Sequence, residues 1–211
     1  MSFTGIKTGG ASSFEPLATG TYTAVISGLV GLGKQRNEFK GEVKVGDRLV
    51  IFFEIIGEDI EINGDKVPKR IFKESSLSFH EKAFLTKVAL AADPGAKLGS
   101  NYDIATLVGK PVQVQVGLTT GGNPKVTEVI GLPKGMNVDA EVHSALTFNF
   151  YAPEKEAFEL LPLFLKKNIS KAVNLTGSKA EPLVQTFLAS LDDEMVVPDE
   201  VHSEAGTGDI I

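Results

Sequence analysis

The chain has no cysteine and only three histidines among its 211 residues. Without thiols there is no disulfide and no thiolate metal site, and His80, His143 and His202 stand far apart with no i, i+4 pairing. A zinc or thiol enzyme is therefore not expected. The sequence also has no apolar run of about eighteen residues, the length at which a helix begins to span a bilayer. Its start, MSFTGIKTGGASSFEP, has neither a basic leader nor an apolar stretch behind it. A secreted or membrane-spanning protein is not expected either. The last deficit is local: residues 191–211 contain no Lys or Arg but hold seven acids, Asp192, Asp193, Glu194, Asp199, Glu200, Glu204 and Asp209. All 21 bases thus face 20 acids in the body, and the net charge of −6 sits entirely in the C-terminal stretch. Such a stretch, without aromatics, buries too little to offset chain entropy and reads as a disordered acidic tail.

What remains is 42% hydrophobic, enough for one main domain with extensions. Residues 1–17 are Gly, Ser and Thr rich and read as a flexible arm. In TYTAVISGLV, 21–30, two alternating sets of side chains run up to the glycines, the pattern of a strand, and GLGKQRNEFKGEVKVGD, 31–47, reads as a long loop, at most with a short hairpin. RLVIFFEII, 48–56, is β-branched and aromatic and reads as a buried strand. Asn63-Gly64 then predicts a two-residue hairpin, with Pro68 placing the return strand at an edge or bulge. The Ser78-x-x-Glu81 capping box predicts a helix that ends at Asp93-Pro94-Gly95. PVQVQVGL, 111–118, and KVTEVIG, 125–131, alternate around the turn TTGGNP.

Five strands with one helix between the third and fourth is the order of an OB-fold, a small partly open barrel, here expected over residues 18–135. The fold class is therefore mainly β with a C-terminal helical extension. That extension, 136–190, predicts a short strand near 145–151 and a helical stretch 154–173 broken at Pro162. A further helix, 181–191, carries Pro182 in its first turn. These helices pack either on the barrel or on a second copy of the chain, which would make a homodimer.

GLVGLGKQ, 28–35, has the spacing of a phosphate-binding P-loop, G-x-x-x-x-G-K, but Gln35 stands where magnesium needs a hydroxyl. A helix opening after Lys34 would run into Gly41 and Gly46, and the apolar run before Glu54 follows too soon for a crossover. No NTPase is expected, nor any other catalytic set or cofactor: Glu58, Asp59 and Glu61 flank a hairpin and read as a solvated face.

Bases and aromatics interleave from 34 to 87, the mixture that single-strand binding needs, because cations follow phosphates while aromatic faces stack on unpaired bases. The candidate DNA-binding residues are Lys34, Arg36, Phe39, Lys40, Lys44, Arg48, Lys66, Lys69, Arg70, Phe72 and Lys73, with Phe79, Lys82 and Lys87 further along. The same span holds nearly as many acids, and several phenylalanines must fill the core. Phe52 and Phe53 point to opposite sheet faces, so one enters the core and the other is left as a candidate platform.

These segments, above all ATGTYTAVISGL, DRLVIFFEIIG, PKRIFKESSLSFHEKAFLTKVALA and YDIATLVGKPVQVQVG, resemble the bacteriophage single-stranded DNA-binding proteins, which have an OB-fold core and an acidic C-terminal tail. The resemblance covers 18–135 and, separately, the tail. It implies a non-enzymatic protein that coats single-stranded DNA without strong sequence preference during phage replication or recombination, in the cytoplasm of the infected host. It implies too that the tail residues Asp192, Asp193, Glu194, Asp199, Glu200, Asp209, Ile210 and Ile211 recruit replication or recombination proteins and compete with DNA. The rival expectation is a phage structural or assembly protein that uses the barrel as a protein-docking module.

Overall fold

The computed structural model describes residues 16–39, 41–62, 64–139 and 141–195. Residues 1–15, Lys40, Asn63, Ala140 and 196–211 lie outside the described residues. Along the chain run β1 (Gly20–Phe39), β2 (Glu42–Ile62), β3 (Asp65–Ser76), α1 (Phe84–Ala92), β4 (Pro111–Leu118), β5 (Pro124–Ile130), β6 (Leu146–Phe148), α2 (Lys155–Glu159), α3 (Leu163–Ile169) and α4 (Glu181–Met195). They build a mainly β protein on one six-stranded sheet in the order β3-β2-β1-β4-β5, with β6 also paired to β1. The ladders along that path are antiparallel, while β6 runs parallel to Gly28–Val30 of β1.

The first correction concerns 31–47. This segment is not a loop: β1 continues to Phe39 and returns through β2 from Glu42, with Lys34 opposite Asp47 and Arg36 opposite Val45. Glycine-rich polar sequence hides a strand when bulges absorb the glycines, and register shifts fall at Ile26/Gly28 and Gly31/Gly33. Gly33 takes φ +72°, and a Cβ there would come within 2.8 Å of the Phe150 ring. At Gly28 a Cβ would collide with the Leu146 carbonyl oxygen. The glycines of the P-loop lookalike thus admit the backbone and rings of 146–150, and Lys34 lies inside a strand rather than at the opening of a helix.

Gly28→Ala is expected to push β6 off β1 and lower stability by about 1–3 kcal/mol, the range for overpacking a tight site. Gly46→Ala, where the added methyl meets nothing within 4 Å, should be nearly neutral. Paired denaturant titrations check this; equal midpoints for the two variants would contradict it.

The continuous apolar run of β2 is explained by two cores, one on each face. Leu49, Ile51, Phe53 and Ile55 join Ile26, Leu85, Val88, Val112 and Val114 in the first. Val50 and Phe52 join Val30, Leu32, Leu146, Phe148, Phe150, Phe158, Leu165 and Ile169 in the second. The C-terminal extension therefore packs on the outer face of β1 and β2 within the same chain. Phe52, one of the two candidates for a free platform, is 3% exposed and belongs to this second core.

Other expectations meet the structure element by element. β2 and β3 pair up to Ile62 and Asp65, either side of the expected turn, with Gly64 at φ +91°, and Pro68 pairs with Asp59 just past a register shift. The Ser78 capping box does not start α1: the Ser78 hydroxyl accepts from the His80 N–H, and the helix opens later, after Ala83, with no side-chain cap. Pro162 does break the helical stretch, standing at the start of α3. The last helix runs past 191, so Asp192, Asp193 and Glu194 belong to α4 rather than to a loose tail. Their side chains, like those of Asp199, Glu200, Asp209, Ile210 and Ile211, lie outside the described residues.

The sheet stays open. Its path ends at β3 on one side and β5 on the other, and among the described residues no ladder joins them. A side chain occupies the gap: Lys73 Nζ donates to the Val126 carbonyl at 2.8 Å, taking an acceptor that a neighbouring strand would otherwise use.

Candidate nucleic-acid interface

The β1–β2 hairpin projects beyond the cores as a two-stranded arm. Its base is fastened to the helical extension: the Lys34 N–H donates to Asn174 Oδ1 at 2.8 Å, and its carbonyl accepts from the Val173 N–H at 2.8 Å. Gln35 Nε2 adds bonds to the Leu32 and Asn168 carbonyls at 2.8 and 3.1 Å. With the backbone held, the exposed side chains of Lys34 and Arg36 have no carboxylate within ion-pair distance among the described residues. Lys44 meets Glu42 at 3.4 Å with both side chains more than 70% exposed, a pairing that contributes little. The Phe39 side chain and Lys40 lie outside the described residues.

On β3 the candidates divide by strand alternation. Arg70, Phe72 and Glu74 face the helical extension, whereas Lys69, Ile71 and Lys73 face the other way. Arg70 is held by Glu54 Oε1 at 2.5 Å and the Ser144 carbonyl at 2.6 Å. Glu54, 2% exposed, also accepts from the backbone N–H groups of His143 and Ser144 at 2.8 and 3.2 Å. Arg48 bonds Glu74 at 2.8 Å. The Phe72 ring, 46% exposed, lies 5.2 Å from Phe164 at an interplanar angle of 24°, with Phe52 behind it at 5.4 Å. Phe164 was not among the sequence candidates, though it falls off the Phe158, Leu161, Leu165, Ile169 stripe, and an aromatic off the buried stripe should face solvent.

The opposite row of β3 is more buried. Lys69, 8% exposed, reaches Glu58 at 3.4 Å. Lys73 sits 4.2 Å from the Phe84 ring centroid. Burial, and then the charges of Lys125 and Lys87, hold its pKa below the ordinary lysine value. Lys66 is exposed near the start of β3. The candidate set therefore does not converge on one groove. Among the described residues Lys34, Arg36 and Lys66 have no ion pair, Lys44 has only an exposed one, and Arg48, Lys69, Arg70 and Lys73 serve internal contacts.

The depressed Lys73 pKa carries a prediction with a definite sign. Between the folded value and the ordinary value near 10.5, the unfolded chain binds more protons, so stability rises with pH through that window. Lys73→Met should flatten the rise as pH climbs toward the ordinary lysine value near 10.5, measured by urea unfolding at fixed salt. An unchanged slope would contradict the assignment. Tyr151 acts only higher: burial and its bond to Asp47 raise its pKa above 10.0, so its contribution is lost as pH climbs past that value.

Among the described residues no group of three or more His, Cys, Asp or Glu side chains could hold a metal, and no helix is long and apolar enough to cross a membrane. Compared with models of known protein families and with curated proteins, the chain matches none.

Proposed function

We propose that this protein is a non-enzymatic binder of single-stranded DNA built on an OB-fold opened along one seam. The observation that carries the reading is the solvent-facing Phe72–Phe164 pair on the β2–β3 side of the sheet, together with an arm whose Lys34 and Arg36 have no ion pair among the described residues. In OB-folds the face of strands 2 and 3, with the loops 1–2 and 4–5, receives oligonucleotides, and in this reading the β1–β2 arm and the 119–123 turn between β4 and β5 take those two roles. Stacking on the aromatic pair reads any base, and the arm cations follow phosphates, so binding is tolerant of sequence. The resemblance to phage proteins extends the proposal to replication or recombination of a phage genome, with the acidic C-terminal stretch recruiting partner proteins and competing with DNA.

A gel shift tests this reading. Labelled oligo-dT should be retarded at low salt and a blunt duplex of the same length much less; equal retention of both, or of neither, contradicts it.

A second reading, a protein-docking module of a phage particle, is favoured by one observation: Arg48, Lys69, Arg70 and Lys73 are consumed inside the molecule. It would gain if the chain bound assembled phage particles and not oligo-dT.

A further inference from the structure

The open seam between β3 and β5 holds a cavity of about 250 Å³. Leu17, Ile71, Phe72 and Pro124 supply its apolar lining, and Lys69, Arg70 and Lys125 supply three cations. Among the described residues no Asp or Glu lines it, in a body where acids and bases are otherwise nearly equal in number. The volume falls below the roughly 300–1,000 Å³ of sites for larger ligands, so it suits one planar ring system rather than two. Its position follows from the fold: β3 and β5 are the unpaired ends of the sheet, and the Lys73–Val126 bond holds them side by side without a ladder.

We propose that this seam is a one-nucleotide pocket, taking a base against Phe72 and its phosphate on Lys125, with Lys69 and Arg70 enlarging the positive field. Arg70 and Lys69 are committed to Glu54 and Glu58, whereas Lys125 is exposed and has no ion pair among the described residues, which makes it the cation free to contact phosphate. The unneutralised charge is felt nearby, since Lys125 and Lys87 both disfavour the charged form of Lys73. A bound phosphate would relieve that repulsion. The inference rests on the single-strand reading for its biological ligand, but the pocket's chemistry is testable without it.

The test is a titration of the isotope-labelled full chain with dTMP, thymidine and inorganic phosphate, read by amide chemical shifts. The expected result is saturable movement of Ile71, Phe72, Lys125 and Val126 with dTMP, weaker with either fragment, and lost in Lys125→Glu. Movement by phosphate equal to that by dTMP would show an anion site with no role for the ring. No movement with any probe would overturn the pocket. Within a strand, Lys125→Glu should weaken oligo-dT binding about ten-fold and make the salt slope shallower by ~0.7, while Lys155→Glu on α2 leaves both unchanged. Normal oligo-dT binding by Lys125→Glu would sink the pocket and leave single-strand binding standing. Loss of all oligo-dT binding by the unmodified chain, with dTMP still seated, would sink the single-strand reading instead.

Discussion

Glu54→Ala is expected to lower the unfolding free energy by about 3 kcal/mol. The carboxylate is the one charged side chain in the apolar run of β2, and it accepts from Arg70 and from two successive backbone N–H groups, those of His143 and Ser144. Removing it leaves two amide donors without their acceptor and an arginine with only the Ser144 carbonyl. Each unsatisfied buried group costs about 1–3 kcal/mol. The low end of the range for a broken buried pair applies because the Arg70 side chain is 29% exposed and keeps some contact with water. Glu54→Gln should cost less, since the amide oxygen still accepts, but its NH₂ must then face a donor. The cluster fastens 143–144 to the sheet just before β6, so the loss should also loosen the second core. A urea midpoint lowered at unchanged m-value is the expected reading; midpoints equal to the unmodified chain would contradict the role of the cluster.

Phe72→Ala is expected to weaken oligo-dT binding by roughly 5- to 150-fold, because stacking contributes about 1–3 kcal/mol per base. Phe72→Tyr, which keeps the ring face, should bind nearly as well. The change adds no charge, so the salt dependence should be untouched, whereas Lys34→Ala or Arg36→Ala should make the slope shallower by ~0.7 for each phosphate contact removed. This separation of affinity from slope distinguishes a stacking platform from a general loss of structure. Unaltered affinity in both Phe72→Ala and Phe164→Ala would remove the aromatic pair from the interface.

The sequence made some elements plain for simple reasons. Asn63-Gly64 between alternating segments has few conformations open to it, and PVQVQVGL can bury one face only as a strand. Pro162 had to interrupt its helix. The run LVIFFE signalled burial on both faces, but not what covers the second face, because the covering helices come about a hundred residues later and no local pattern records that contact. The 31–47 arm was hidden for the opposite reason: Gly31 and Gly33 serve a bulge packed against Phe150, a distant partner.

For the candidate site, residue type was legible and orientation was not. Arg70 and Phe72 are neighbours on one face of β3, yet the first is tied to Glu54 while the second meets solvent. Glu54 itself gave a signal that could have been followed, since an acid inside an apolar strand must find a partner and the bases at 69 and 70 lie on the returning strand. Lys125 gave none; only the open seam distinguishes it from any other surface lysine.

The central claim is that unpaired DNA lies across the Phe72–Phe164 side of the sheet with its phosphates on the arm. Fluorescence anisotropy of labelled oligo-dT, titrated with the full chain and with a chain ending at Met195 over a series of salt concentrations, tests it most directly. The predicted result is tight binding at low salt, tighter for the shortened chain, with log affinity falling linearly against log salt at ~0.7 per phosphate contacted. Absence of binding by both chains at low salt, or an affinity indifferent to salt, would contradict it.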